Sequence, residues 1–439
     1  MRTAIPALAL AAIATLSACS GDARSQAMFR GNAAHTGATD AKAPRAFHRV
    51  KWAFATGGRI VSSPVIDQGT IYVGSDDGNL YAIAAADGRQ RWQYKTAGPV
   101  PSTPAVAAGV VYVASYDGKI HAIDARSGLP RWKFATAGER RFEAKNLHGF
   151  LPKTQTIADP FDVYLSSPLV VDGRVFVGSG DGNVYALDAT TGALAWKFAT
   201  GDVVHASPAY ADGTIVIGSW DSYLYALDAA TGAQKWRFHG GEDPDIHNQV
   251  GFQSSPAVVD GMVYVGCRDA HVYALDAATG RKKWDYPTSK SWVNGTPAVR
   301  DGTVYVGTSD TSRFMALDAR TGRLKFTYTA GAYIFSSAAL AGDLAYFGSH
   351  NGRLYAVNAK TGDLAWQFQT EGAKRDSMKI LNADGGLNRE AMTPTFGDFQ
   401  DMYVDFYRFV SVGAIMGSPA VEEGVVYVGS TDGNLYALK

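Results

Sequence analysis

Ser207-Pro208-Ala209-Tyr210 opens a run that turns at Asp212-Gly213 and continues as Thr214-Ile215-Val216-Ile217-Gly218-Ser219. A second turn leads to Leu224-Tyr225-Ala226-Leu227-Asp228, and Thr231-Gly232 then turns the chain into Lys235-Trp236-Arg237-Phe238. These are four short runs rich in β-branched and aromatic residues, separated by Gly and Asp turns, and they read as four antiparallel strands. Four strands in about 40 residues make one propeller blade.

The same unit recurs along the chain. Trp52, Trp92 and Trp132 are 40 residues apart, as are Trp196 and Trp236; Trp284, Phe326 and Trp366 continue the series. The Ser/Thr-Pro start of the first strand stands at Pro64, Pro104, Pro168, Pro208, Pro256, Pro297 and Pro419, with Ala338 in its place once. Proline is tolerated at a first strand residue, where no donor need be paired. Eight units therefore predict an all-β, eight-bladed β-propeller of four-stranded blades. The chain ends at Lys439, just after the third strand of the eighth unit. The missing strand is found near the start, as Lys51-Trp52-Ala53-Phe54, so the N-terminal strand is expected to close the last blade and remove an open edge.

The 439 residues carry 41 Lys and Arg against 41 Asp and Glu. A neutral chain with no basic stripe has no electrostatic footprint for nucleic acid. Its two cysteines, Cys19 and Cys267, form no disulfide framework or CxxC pair, and the nine histidines form no metal-ligand motif.

The first residues read as a targeting segment. Arg2 precedes an apolar stretch at residues 5–16, too short to span a bilayer, followed by Leu16-Ser17-Ala18-Cys19. Small residues directly before a cysteine resemble a bacterial lipobox, which implies cleavage before Cys19 and acylation of its thiol. Residues 1–18 are thus expected to be a lipoprotein signal peptide, 19–45 a tether and lead-in, and 46–439 the propeller. Several acyl chains would anchor stably, at about 0.8 kcal/mol per buried methylene. Ser20 stands where an inner-membrane retention Asp is common, so the resemblance implies an outer-membrane lipoprotein facing the periplasm.

Three departures from the repeat, at 138–164, 240–252 and 372–413, all fall in blade-to-blade loops and hence on one face, here the top. Insertions sharing a face usually build a binding surface. Charged and aromatic residues alternate in the first and third, and Arg141, Lys145, His148 and Arg408 are candidate contacts there. Seven of nine Trp occupy the repeat position; Trp220 and Trp292 do not, and both map to top loops of blades 4 and 6. Repeat phase brings His205, Trp220, Gln253, Arg268, Trp292 and Asn294 to the same sector of the channel mouth. An aromatic platform with a few polar groups suits a flat ligand or a peptide segment; the alternative is that the indoles seal the mouth. The recurring Asp-Gly pairs, such as Asp77-Gly78 and Asp181-Gly182, are single hairpin turns on separate blades and predict no calcium site.

Ala186-Leu187-Asp188-Ala189-Thr190-Thr191-Gly192 followed by Trp196 resembles the tryptophan-docking motif of the pyrroloquinoline-quinone-like propeller repeat, and residues 226–236 and 274–284 repeat it. Fold, blade count and lipobox together resemble the outer-membrane assembly lipoproteins of the BamB type. That likeness implies a non-catalytic scaffold without cofactor, docking to an envelope partner, the outer-membrane barrel-insertion machinery. Quinoprotein dehydrogenases share the repeat and imply a second reading, with pyrroloquinoline quinone and calcium. In that reading Trp220 or Trp292 stacks on the quinone while Arg268 or Lys145 pairs its carboxylates. Their adjacent cysteine pair and CxxCH haem attachment are missing from this sequence. A periplasmic module for a small ligand would use the same pocket.

Overall fold

The computed structural model describes residues 27–242, 250–391 and 398–439. Cys19 and most of the second insertion lie outside the described residues. Eight antiparallel four-stranded blades, one of them extended by a parallel fifth strand, are arranged as a ring. Blade 4 comprises Ala209–Ala211, Thr214–Gly218, Tyr223–Asp228 and Gln234–His239, as the sequence pattern requires. In blade 8 the outer strand is Val50–Ala55, which pairs antiparallel with Asn434–Leu438. The ring is therefore closed by hydrogen bonds between its two ends.

Blades are joined at three radii. Near the rim, the docking indoles donate Nε1–H to a carbonyl of the next blade: Trp92 to Ala125 at 2.9 Å, Trp196 to Ala229 at 3.0 Å, Trp284 to Ala319 at 2.9 Å. Each ring also covers the glycine of the neighbouring turn. Gly232 has φ +76°, and a Cβ there would meet the Trp196 ring at 2.7 Å, so only glycine suits both the turn and the packing. Blade 8 ends before such a turn, and the lead-in replaces it: Pro44 O accepts from Trp366 Nε1 at 2.9 Å while Phe47 stacks on the indole.

On the top face, the repeated Asp holds the exit loop of the preceding blade. Asp77 accepts from the Gly57 amide at 2.8 Å and the Tyr81 hydroxyl at 2.7 Å, and Asp181, Asp221, Asp269 and Asp432 repeat the arrangement. Around the channel, the Ser or Thr before the proline accepts in several blades from the equivalent amide of the blade before. Ser63 N–H bonds to Thr103, Thr103 N–H to Ser167, Ser167 N–H to Ser207 and Ser207 N–H to Ser255, at 2.8–3.1 Å.

Below this hydroxyl ring the lead-in crosses the channel. Carbonyls of Ala27, Ala33, Ala34, Thr36 and Gly37 accept from the inner-strand amides of Val106, Tyr210, Val258, Val299 and Leu340. Ala38–Thr39 pairs parallel with the inner strand of blade 7. Residues 27–39 thus bond to five of the blades and form a floor. Arg30 and His35 are buried in it, bonded to the carbonyls of Ala338 and Pro256.

Candidate functional site

The first and third insertions fold together over the channel mouth. In the first, strands Glu143–Lys145 and Thr156–Ala158 form a hairpin. In the third, the helix Phe399–Ser411 is capped by Asp398 and buries Met402, Phe406, Phe409 and Val410. The two meet where Leu151 bridges Asp398 and where the Tyr403 hydroxyl donates to Ala158 O at 2.7 Å. Phe406 and Val410 pack on Val61, Phe335 and Met416 at the mouth.

From this cap residues 159–162, Asp-Pro-Phe-Asp, enter the mouth beside blades 4 to 6. Asp159 is fully buried and bonds Arg268 Nη1 at 2.5 Å, with His148 Nε2 at 3.4 Å. Burial opposes ionisation of Asp159, but Arg268 and His148 outweigh it and hold its carboxyl well below the usual range. Asp162 bonds His205 Nδ1 at 2.7 Å, and Glu139 lies 3.5 Å from Nε2. Burial disfavours the His205 imidazolium, yet Asp162 and then Glu139 prevail and push its pKa up to about 10. Between the two acids, Phe161 O accepts from Gln253 Nε2 at 2.9 Å, and its ring meets Trp292 edge-on.

All six residues selected by repeat phase are buried in this one sector. Arg268 lies between the two off-frame indoles, its guanidinium 4.6 Å from the Trp220 ring and 3.8 Å from the Trp292 ring. His205, Gln253 and Asn294 line the chamber beneath, above Phe29 of the floor. Five of the six carry a buried polar atom without a hydrogen-bonding partner among the described residues: Trp220 Nε1, Gln253 Oε1, Arg268 Nε, Trp292 Nε1 and both amide atoms of Asn294. Buried polar groups normally find a partner, so this sector suits ordered water or a small polar ligand.

The four insertion residues separate. His148 joins the site, its ring 5.0 Å from Trp292. Arg141 is half-buried in another part of the mouth, near Tyr116 and Tyr403. Lys145 is exposed on the hairpin, and Arg408 bonds Ala391 O at 2.8 Å within the third insertion. Residues 159–162 did not stand out in the sequence, because no other blade has a counterpart against which they would be a variation. Their one signal was an acid-aromatic-acid run a few residues ahead of the first strand of blade 3, Leu169–Val171.

A flat quinone needs an open indole face and unmatched cations. Phe142 stacks on Trp220 at 4.4 Å and 7°, Arg268 also lies over that ring, and the Arg268 charge is matched by Asp159. Trp292 carries Arg268 and His148. No group of three or more His, Cys, Asp or Glu side chains is placed to hold a metal among the described residues. The residues of this sector therefore do not fit a stacked quinone with its metal.

Solved structures share the architecture. BamB from Moraxella catarrhalis is 18% identical, with 89% of this chain and 99% of that one covered and a TM-score of 0.65. Quinohemoprotein alcohol dehydrogenase from Comamonas testosteroni is 14% identical, covering 94% and 80%, with a TM-score of 0.68. A europium-containing methanol dehydrogenase is 16% identical, covering 94% and 91%, with a TM-score of 0.67. At these identities the likeness shows the fold alone. A comparison with curated proteins finds no match. The family described as outer membrane protein assembly factor BamB matches residues 30–148, 154–291 and 247–439, nearly the whole propeller. On that match, and with the eight-bladed ring closed by its own N-terminal strand, the chain belongs to the BamB family of pyrroloquinoline-quinone-like propellers.

Proposed function

We propose that this chain is an exported, lipid-anchored propeller that serves as a non-catalytic docking scaffold in outer-membrane protein assembly. One observation carries the reading. Among the described residues, four of the eight exposed large apolar side chains lie along the cap helix: Leu151, Val404, Tyr407 and Met378. Leu151 meets the helix start through Asp398 and Phe399, Val404 and Tyr407 share its outer face, and Met378 contacts Ser411 at its end. The other four, Leu129, Leu194, Leu324 and Leu364, sit singly on blade edges beside the docking turns. An apolar stripe along a 13-residue helix that stands over the channel mouth suits a protein partner better than a small substrate.

The partner implied by the family is the outer-membrane barrel-insertion protein. A photo-crosslinking residue at Tyr407 is expected to capture it in the intact envelope, and one at Leu194 to fail. Equal capture at both positions, or none at Tyr407, would remove this reading. Residues 1–18 as a cleaved signal and Cys19 as the acylated residue belong to the same proposal. Among the described residues no helix is long and apolar enough to cross a membrane. Replacing Cys19 by Ala is expected to move the protein into the soluble periplasmic fraction; membrane retention without detergent would count against the anchor.

A further inference from the structure

The cap fills the mouth unevenly. Beside blades 4 to 6 it inserts residues 159–162, but beside blades 8, 1 and 2 it leaves a cleft of about 300 Å³. The cleft has two kinds of wall. Val61, Met416 and Phe406 supply an apolar bottom and side, all buried against one another. Arg59, Arg141 and the Tyr116 hydroxyl stand at the polar end.

Among the residues that line that end, guanidiniums outnumber carboxylates. Arg59 is held by Asp76 at 2.8 Å through Nε, and no hydrogen bond of its two terminal nitrogens is found among the described residues. Arg141 interacts with Tyr116, Asp162 and Tyr403, and Asp162 is shared with His205, which Glu139 also faces. Two guanidiniums therefore share the cleft with one lining carboxylate, Asp76. Guanidinium groups recognise carboxylates with paired hydrogen bonds, and the adjoining apolar walls would take an attached hydrocarbon group.

We propose that this cleft binds a carboxylate carrying an apolar group, with Arg141 and Arg59 on the carboxylate and Val61, Phe406 and Met416 around the hydrocarbon. Such a group is found in a fatty acid and in the C-terminal apolar residue of a peptide. The site lies across the mouth from Trp220, Arg268 and Trp292. It requires neither a protein partner at the cap helix nor opening of the Asp159 contact.

The test is calorimetric titration of the purified full chain with octanoate, octanol, and the peptide N-acetyl-Ala-Ala-Phe as free acid and as amide. Octanoate or the free-acid peptide is expected to bind with one site and at least ten times more tightly than its uncharged counterpart. Binding of octanoate alone identifies a fatty acid, and binding of the acid peptide alone identifies a chain terminus; either supports the site. Arg141→Gln is expected to weaken carboxylate binding at least tenfold. Val61→Phe, which fills the apolar end and keeps every charge, is expected to abolish it, with the melting temperature of each variant reporting that the ring is intact. Equal affinity for octanoate and octanol, no heat at millimolar carboxylate, or unchanged binding in a folded Arg141→Gln variant would overturn the proposal. Crosslinking at Tyr407 reads a different surface, so the two readings fail separately.

Discussion

At the top of the channel, closure rests on charge. His205 and Arg268 on the ring meet Glu139, Asp159 and Asp162 of an insertion, and all five are buried. At the floor, closure rests on the main chain: five carbonyls of residues 27–39 meet five inner-strand amides, and the buried side chains there are held neutral or go unmatched. Burial depresses the pKa of His35 to about 3, against its bond to Pro256 O, and lowers that of Arg30 to about 9. The difference follows from what each segment meets. A strap crossing five equivalent strands can use the same amide of each, whatever its side chains, because backbone groups repeat with the blades. A cap dropped on one sector meets a unique set of side chains and must match them individually.

The largest effect is expected at the floor. Deleting residues 27–39, with the export signal and strand Val50–Ala55 kept, leaves five amides to water or to nothing, at about 1–3 kcal/mol each if left dry. The melting temperature should fall by about 10 °C or more; an unchanged value would show that the strap only decorates the ring. Next comes Arg268→Met, which leaves buried Asp159 with His148 as its remaining partner, at a cost of up to about 3–5 kcal/mol. Limited proteolysis should then cut within residues 138–164 while the blades stay protected. Adding Asp159→Leu should restore most of that protection, and failure to do so would mean that the pair does not latch the cap.

The pH response should separate the two ends. The pKa of His205 is raised when folded, so its contribution is complete below about pH 6.5 and is lost as pH rises towards about 10. That of His35 is depressed, so its contribution is present above about pH 6.5 and is lost as pH falls towards about 3. Melting curves between pH 4 and 10 should therefore show a shallower alkaline limb for His205→Gln and a shallower acid limb for His35→Gln. Identical limbs in both variants would end the contrast. The smallest effect is expected in the wall between the ends. Trp236→Phe removes one hydrogen bond to Ala277 O and should cost about 1 kcal/mol. Phe326 already fills the equivalent place in blade 6, over Gly362, without that bond.

The contrast also explains what could be read in advance. Blade count, strand limits, the docking tryptophans and the closing strand all come from a pattern stated eight times, so each copy corroborates the others. The convergence of His205, Trp220, Gln253, Arg268, Trp292 and Asn294 was legible for the same reason, since repeat phase carries angular position around the ring. The pattern did not reveal that the platform is covered. Phe142, Asp159 and Asp162 lie in a non-repeating insertion, and nothing local ties Asp159 to Arg268, 109 positions away. The lead-in was equally opaque, because its hydrogen bonds are made by carbonyls, which every residue has.

The sequence by itself thus determined the ring, because its contacts are periodic and each is specified by residues a fixed distance along the chain. Only the tertiary structure decided how the channel ends. The partners there come from insertion, lead-in and distant blades, and both charge matching and main-chain pairing depend on positions that exist only once the ring has closed.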